Sequence, residues 1–577
     1  MTIRIREFFV ISAAAIFLFL SIWIFGHRQL GGFDMSALID TGWRIASGQT
    51  PYIDFPLTTP VIFYLGAGWA IKLWGAKWSA FVLAAAWMAV IAFFAQIAML
   101  HRIISWKYSV AIALTCQMLC SMPTSYWWYN SVSVIAACLF FTAAFVFANH
   151  PTSRMSAFAL WANLTFLSLT KPNIAGITAL LTLIALLWLS PHRVRIIILY
   201  LAGLISFFLL LFILAINPLD VLRSYWEMSH GRGLPNLSWF FNDKPLEHLV
   251  TIPLFLLILL PVIAKIRQLK SVRQTLYGLK LQLAITGAVL LTGLFSMVSN
   301  SDSNLVIGTP FLVLGSSILL VYLPKENSTR FPCDLCIATI VVNLAAIWVG
   351  CAIMSGNHQL ALVTAWYAGI SVNGLLILLF MLFKNMRLLS NMSQFAKLTF
   401  NKVTWLVLLT CSIVAVYSGM MRWRVEAIGP ERFFTTVPLV KIHNISFFEN
   451  FWVSPHAQQV VDETKAVLQK KFGIPENWHT ASVYFGPRIE FSYAAFDVNS
   501  PKDLPIWWHP NNSYADIYSV QFVRSFILHQ FQVCIFLRTN GEPDSGPQPP
   551  QILQDITANY DRVDYPNITV FYRQDSP

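Results

Sequence analysis

The sequence is poor in charge. Only 11% of its 577 residues are Asp, Glu, Lys or Arg, while 56% are hydrophobic. An ordinary soluble domain carries roughly 25% charged residues, so water is excluded as the main solvent and a bilayer takes its place. No small-residue cleavage site follows the first apolar run, Phe8 to Phe25, which lies between Arg4 and Arg6 on one side and His27 and Arg28 on the other. That run is long enough to span and reads as a retained anchor. Cysteines are few: eight, most of them inside apolar runs, with only Cys534 in the C-terminal stretch. A disulfide framework is therefore excluded there. Cys333 and Cys336 form a lone CxxC with no second ligand pair, which reads as helix packing and not as a metal or redox site. A basic stripe is also missing. The net charge of +12 is spread by loop, which excludes a nucleic-acid partner.

What is present is a series of apolar runs. Phe8 to Phe25, Ser79 to Leu100, Tyr108 to Met122, Ser131 to Ala148, Met155 to Leu169, Ile174 to Leu189 and Val194 to Ile216 form one set, and six more lie between Leu249 and Met421. The expectation is an α-helical polytopic membrane protein of about 13 spans over residues 1–421, with a small α/β domain in residues 422–577. Pro60 to Trp74 is apolar too, and charge arbitrates its place. Left uncounted, it gives a map in which the loops on the N-terminal side carry most of the Lys and Arg, including Arg4, Arg6, Lys107, Arg193, Lys265 and Lys280. Counted as a span, it would put the basic loops outside, against the positive-inside rule. The segment is therefore expected to be juxtamembrane or re-entrant on the outer face, with the N-terminus cytoplasmic and the C-terminal domain outside.

Acids show a second asymmetry. Asp34, Asp40, Asp54, Asp220, Glu227, Asp243, Glu247 and Asp302 fall on the outer side of that map, against Glu7, Glu326 and Asp334 inside. Acids hardly influence orientation, so chemistry is expected on the outer face. The tail beyond residue 421 alternates in character. His456 to Lys471, Tyr518 to Phe531 and Gln551 to Tyr560 read as helices, and Ala481 to Phe485, Gln532 to Arg538 and Ile568 to Tyr572 as strands, with a loop from Gly541 to Pro550. Trp507, Trp508 and His509 form an aromatic loop, read as surface packing or as a membrane or ligand contact.

The first outer loop carries the most information. Asp34 opens an amphipathic helix that Gly48 ends, Pro51 and Tyr52 turn the chain, and Asp54 precedes a Pro-bounded apolar segment. Asp34 is placed either as a base at the membrane surface or as an N-cap. Lys171, in TKPN, is the only cation of a very short hairpin. It either snorkels to head groups or lines a polar site where Pro172 breaks the helix. Tyr129 and Asn130, in YWWYN, read as an aromatic belt or as part of that site. His230 and Arg232, in SHGRG, read as a solvated loop or as a phosphate contact, and Asp302 in NSDSN as a turn or as a sugar contact.

These residues carry a resemblance. Asp34, Gly48, Pro51, Tyr52, Asp54, Phe55 and Pro60, with Tyr129, Asn130 and Lys171 at later outer loops, make the chain similar to the lipid-dependent, membrane-embedded GT-C glycosyltransferases. That family includes protein O-mannosyltransferases and lipid A aminoarabinose transferases. The tail is similar as well, with a strand ending in Gly486 ahead of Arg488 to Ala495. The resemblance implies transfer of a sugar from a polyprenyl-phosphate donor to a lipid, glycan or protein acceptor, with inversion. Asp34 would be the general base, Lys171, Arg232 and His230 would face the leaving phosphate, and Tyr129, Asn130, Asp54 and Asp302 would bind the donor, at a bacterial inner membrane. Met35 stands where relatives often carry a second acid, so no paired-carboxylate metal site is assigned and a divalent ion is left open.

Two other classes remain open. A secondary transporter should show half-to-half repeats and charges in mid-span, and neither is found here. A lipid-linked oligosaccharide polymerase or ligase should favour large outer loops with Arg or His, which the SHGRG loop keeps in view.

Overall fold

The computed structural model describes residues 5–28, 32–57, 61–122, 124–232, 369–370, 373, 439–506, 508, 518–544, 546 and 548–574. Apart from residues 369, 370 and 373, the spans expected from Leu249 to Met421 lie outside the described residues. So do Asp302, the Cys333 and Cys336 pair, and the domain boundary expected near residue 421.

All seven apolar runs expected ahead of residue 217 are helices: α1 (Ile5–Gly26), α4 (Trp78–Leu100), α5 (Trp106–Ser121), α6 (Tyr129–Asn149), α7 (Arg154–Ser168), α8 (Pro172–Leu189) and α9 (Arg193–Ile213). Among the described residues α1, α4, α6 and α9 are long and apolar enough to cross a membrane. Helices α5 and α7 have 16 and 15 residues. At 1.5 Å per residue they reach only about 22–24 Å, less than a hydrocarbon core of roughly 30 Å. Three further helices, α2 (Gly32–Ala46), α3 (Val61–Trp74) and α10 (Pro218–Arg232), lie between or after these.

Helix α3 begins and ends at one end of the bundle. The Trp78 indole, at the start of α4, donates to the Gly26 carbonyl at the end of α1 over 2.8 Å. Near the beginning of α3 the Phe63 carbonyl accepts from Trp127, whose backbone N–H donates to Phe81 O in the first turn of α4. An apolar helix with both ends tied to one end of a bundle lies along it and does not traverse it.

Inside the bundle, buried polar side chains bond to one another in a ladder, as a medium without water favours. Gln117 Nε2 donates to Gln96 Oε1 (2.8 Å), Gln96 Nε2 to Asn373 Oδ1 (3.0 Å) and Asn373 Nδ2 to Thr142 Oγ1 (2.9 Å). This ladder seats residue 373 against α4, α5 and α6. Gly369 lies where a Cβ would meet Cys120 and the Cys116 carbonyl.

The C-terminal region opens with a short antiparallel pair, β1 (Val440–Lys441) and β2 (Trp452–Val453). Helix α11 (Pro455–Phe472) follows, then β3 (Val483–Phe485), the one-turn α12 (Ser492–Ala495), α13 (Ser519–His529), β4 (Val533–Thr539), β5 (Glu542–Pro543), α14 (Pro550–Asn559), β6 (Tyr560–Asp564) and β7 (Ile568–Arg573). The sheet order is β3–β4–β7–β6, with β5 paired to β4. The β3 and β4 strands are parallel and the remaining pairs antiparallel. Strand β4 reads VCIFL because both its faces are covered. Val533, Ile535 and Leu537 share one core with Val460, Val461 and Leu468 of α11, while Cys534 and Phe536 face Phe522 and Phe526 of α13 and Ile552 and Ile556 of α14. The first of these cores is continuous with that of the membrane helices. The expected loop from Gly541 to Pro550 is corrected by β5, which closes a tight hairpin through Gly541 (φ +86°). Trp508 is corrected from surface to core, buried 5.4 Å from Phe522.

The α1–α4 junction is close enough that a Cβ on Gly26 would meet the Ser125 carbonyl and lie 2.6 Å from Val82 Cγ1. Gly26→Ala is expected to destabilise the protein by about 1–3 kcal/mol through overpacking, read as a lowered midpoint in thermal unfolding in detergent.

Candidate functional site

Helix α2 runs from Gly32, so Asp34 is its third residue and not its N-cap. That placement corrects the cap reading. Gly48 (φ +93°) ends the segment in the left-handed region that glycine enters without steric penalty. A tight turn follows: Tyr52 N–H donates to Phe55 O (3.0 Å) and Thr50 N–H to Asp54 Oδ2 (2.8 Å).

An amphipathic helix normally turns its polar stripe to water, yet here both sides are buried. On one side Leu38, Gly42 and Ile45 meet α3, where a Cβ on Gly42 would touch Ala67 at 3.2 Å and one on Gly68 would meet Ile45. Position 34 shares this stripe by helical register. On the other side Ser36, Asp40, Trp43 and Arg44 meet the C-terminal domain. Ser36 Oγ donates to Glu490 Oε2 (2.6 Å) and accepts from Phe491 N–H (2.9 Å). Ser500 Oγ donates to Asp40 Oδ1 (2.6 Å), and the Trp43 indole donates to Val498 O (2.8 Å). Arg44, 3% exposed, pairs with Asp40 at 3.0 Å and donates to the carbonyls of Pro501 and Leu504. Burial raises the Asp40 carboxyl above its usual range, opposed by Arg44 and by the Ser500 hydroxyl. Burial also pushes Glu490 up to about 8, against the hydrogen bond from Ser36. A cavity of about 30 Å³ lies in this seam, lined by Asp40, Arg44, Glu490, Tyr484, Gln548 and Trp508 among others. It has room for a water or two and not for a sugar.

Three sequence candidates come together at the same end of the bundle. Lys171 is only 6% exposed, and its Nζ lies 3.5 Å from Asn130 Oδ1 and 5.1 Å from the centre of the Tyr129 ring. The Lys171 backbone N–H donates to Ser133 Oγ one turn further along α6 (3.2 Å). Lys171 and Tyr129 are thus both buried within the protein. Tyr129 packs edge-on against Phe63 of α3 at 5.7 Å, so α3 lies between this cluster and α2.

The remaining candidates are placed differently. Asp54 pairs with Lys502 of the C-terminal domain at 2.9 Å and is held below the usual carboxylate range by that hydrogen bond and by the Thr50 amide. It therefore works at the domain contact. His230 and Arg232 occupy the last turn of α10, whose Ser224 donates to Leu57 O (2.7 Å). That bond brings α10 beside the first loop. Asp302 lies outside the described residues. Among the described residues no group of three His, Cys, Asp or Glu is placed to hold a metal ion.

Sequence reasoning passed over Ser36, Arg44, Ser133, Glu490 and Ser500. Spacing was available for two of them, since Ser36, Asp40 and Arg44 recur every four residues. Nothing local shows that Glu490 or Ser500, more than 450 residues away, would meet them.

The geometry defines a helical membrane bundle with an α/β domain seated on its first loop. No protein-family model matches the chain, and no curated protein sequence does. Among solved structures it is similar to ArnT from Cupriavidus metallidurans bound to undecaprenyl phosphate, with 12% identity, 98% of each chain covered and a TM-score of 0.42. It is similar also to the oligosaccharyltransferase of Archaeoglobus fulgidus in complex with zinc and sulfate, with 10% identity, 90% of this chain and 67% of that one covered, and a TM-score of 0.47. At these values the likeness assigns no residue and no chemistry to this chain.

Removing one partner of a buried ion pair leaves the other charge uncompensated. Arg44→Met is expected to destabilise the seam by about 3–5 kcal/mol, whereas Asp40→Leu combined with Arg44→Met recovers most of that loss. Thermal unfolding of the single and double variants checks the difference.

Proposed function

We propose that this protein is a glycosyltransferase that moves a sugar from a polyprenyl-phosphate donor to an acceptor hydroxyl at the outer face of the cytoplasmic membrane. The observation that carries the reading is the closure of Lys171, Asn130 and Tyr129 into one buried cluster at the end of the bundle where α2 and α3 lie. A buried ammonium framed by an amide oxygen and an aromatic face suits the head group of an anionic lipid. The surrounding bundle suits its apolar tail.

In this reading Asp34 accepts the proton of the incoming hydroxyl, the acceptor oxygen attacks the anomeric carbon with inversion, and the phosphate leaves with the bonding pair. Lys171 stabilises the charge that develops on the phosphate in a site of low dielectric. His230 and Arg232, at the end of α10, are assigned to the same phosphate, and Asp302 to sugar hydroxyls. The expected orientation, with the first loop and the C-terminal domain outside, is supported by the charge asymmetry of the loops. The seating of the domain on α2 supports it too.

The test separates binding from chemistry. In lipid nanodiscs Lys171→Ala is expected to weaken binding of polyprenyl phosphate about 10- to 100-fold, the worth of one charge-assisted contact. Asp34→Asn should bind it normally and yet release polyprenyl phosphate from a lipid-linked sugar about 10²- to 10⁴-fold more slowly. Unaltered binding in the first variant, or unaltered turnover in the second, removes the corresponding role.

A further inference from the structure

Glu490 is a buried acid for which the proposed chemistry has no use. It sits in a constructed turn: Gly486 passes so close to Phe536 that a Cβ would lie 2.5 Å from its ring, and Arg488 takes a left-handed conformation (φ +75°). In that turn the Arg488 and Glu490 backbone amides both reach the Glu490 carboxyl, and Ser36 Oγ closes on it from α2 at 2.6 Å. The neighbouring Phe491 N–H donates to the same Ser36 oxygen. One hydroxyl of α2 is thus gripped twice by adjacent residues of the C-terminal domain, two positions along the helix from Asp34.

We propose that Glu490 is the positioning residue through which the C-terminal domain latches onto Ser36 and holds α2, and with it Asp34, in place. The part concerning Asp34 rests on the reading above, and the latch itself does not. The charged groups around Glu490 are Asp40 and Arg44 from α2, and the hydroxyl groups are Tyr484 from β3 and Tyr493 from α12. Arg44 is already committed to Asp40, and Arg488, on the same turn as Glu490, to Asp544 at 3.3 Å, so neither cation pairs with Glu490. The latch therefore works as a neutral carboxylic acid.

The sign of the pH dependence follows. The group titrates near 4.5 when free and near 8 when buried, so docking is strongest below 4.5 and weakens as pH rises through 8. Across that interval the docked form holds a proton that the undocked form has lost, and the docking constant falls by up to about tenfold per pH unit.

Hydrogen exchange of the full-length protein in nanodiscs, followed over the α2 peptide and corrected for intrinsic exchange, tests this. In the wild type, protection of α2 should fall between pH 6 and 8 by up to about tenfold per unit. Glu490→Gln mimics the protonated acid and should make the profile flat. Glu490→Ala and Ser36→Ala should each lower α2 protection about tenfold at pH 6, with no further loss in the double variant, while β4 stays protected as evidence of an intact domain. A Glu490→Gln profile that still follows the wild type, or α2 protection untouched by Glu490→Ala, overturns the proposal. If protection behaves as described while turnover ignores both variants, the latch stands and its positioning of Asp34 falls, whereas the base role is decided separately by Asp34→Asn.

Discussion

Everything at the loop end of this protein depends on the burial of a polar helix face. Helix α2 has no water on either side: α3 closes on Gly42 and Ile45, and the C-terminal domain closes on Ser36, Asp40 and Arg44. Burying hydroxyl, carboxyl and guanidinium groups is unfavourable unless each finds a partner, and nearly every partner here comes from residues 490–504. The junction is therefore specific as well as cohesive. A domain docked one residue out of register would leave the Asp40–Arg44 pair without the Ser500 hydroxyl and the Pro501 and Leu504 carbonyls that complete its hydrogen bonds.

The membrane helices obey the same rule with fewer resources. Gln96, Gln117, Asn373 and Thr142 bond to one another because lipid offers them no partner. Where α6 and α8 begin, the rule relaxes, since Pro172 leaves backbone groups open and Ser133 takes up the Lys171 amide. Lys171 lies over the Tyr129 ring at this point, 5.1 Å from its centre.

Much of this architecture was legible in the residues themselves. Apolar runs of about 15–23 residues determine helices in lipid, and all seven runs ahead of residue 217 are helices because the bilayer leaves the backbone no other way to satisfy its hydrogen bonds. Gln532 to Arg538 read as a strand and the amphipathic repeats on either side as helices, and β4 lies between α13 and α14 as that α/β reading expects. Asp34, Lys171, Tyr129 and Asn130 could be singled out because acids and cations are scarce in such a chain and each stands next to a helix end.

The tertiary structure decided what those residues touch. Amphipathicity gives α2 a polar side but does not say whether water or protein lies against it. Only the arrival of Glu490 and Ser500 from the far end of the chain makes that side an interface. Asp54, which reads as a candidate ligand, becomes a domain contact through Lys502. Lys171, which local sequence leaves between snorkelling and a site, is settled as buried by a tyrosine and an asparagine some 40 residues earlier. Scarcity of charge in a low-dielectric chain made the candidates visible in the sequence, and long-range packing, which no local pattern encodes, chose their partners.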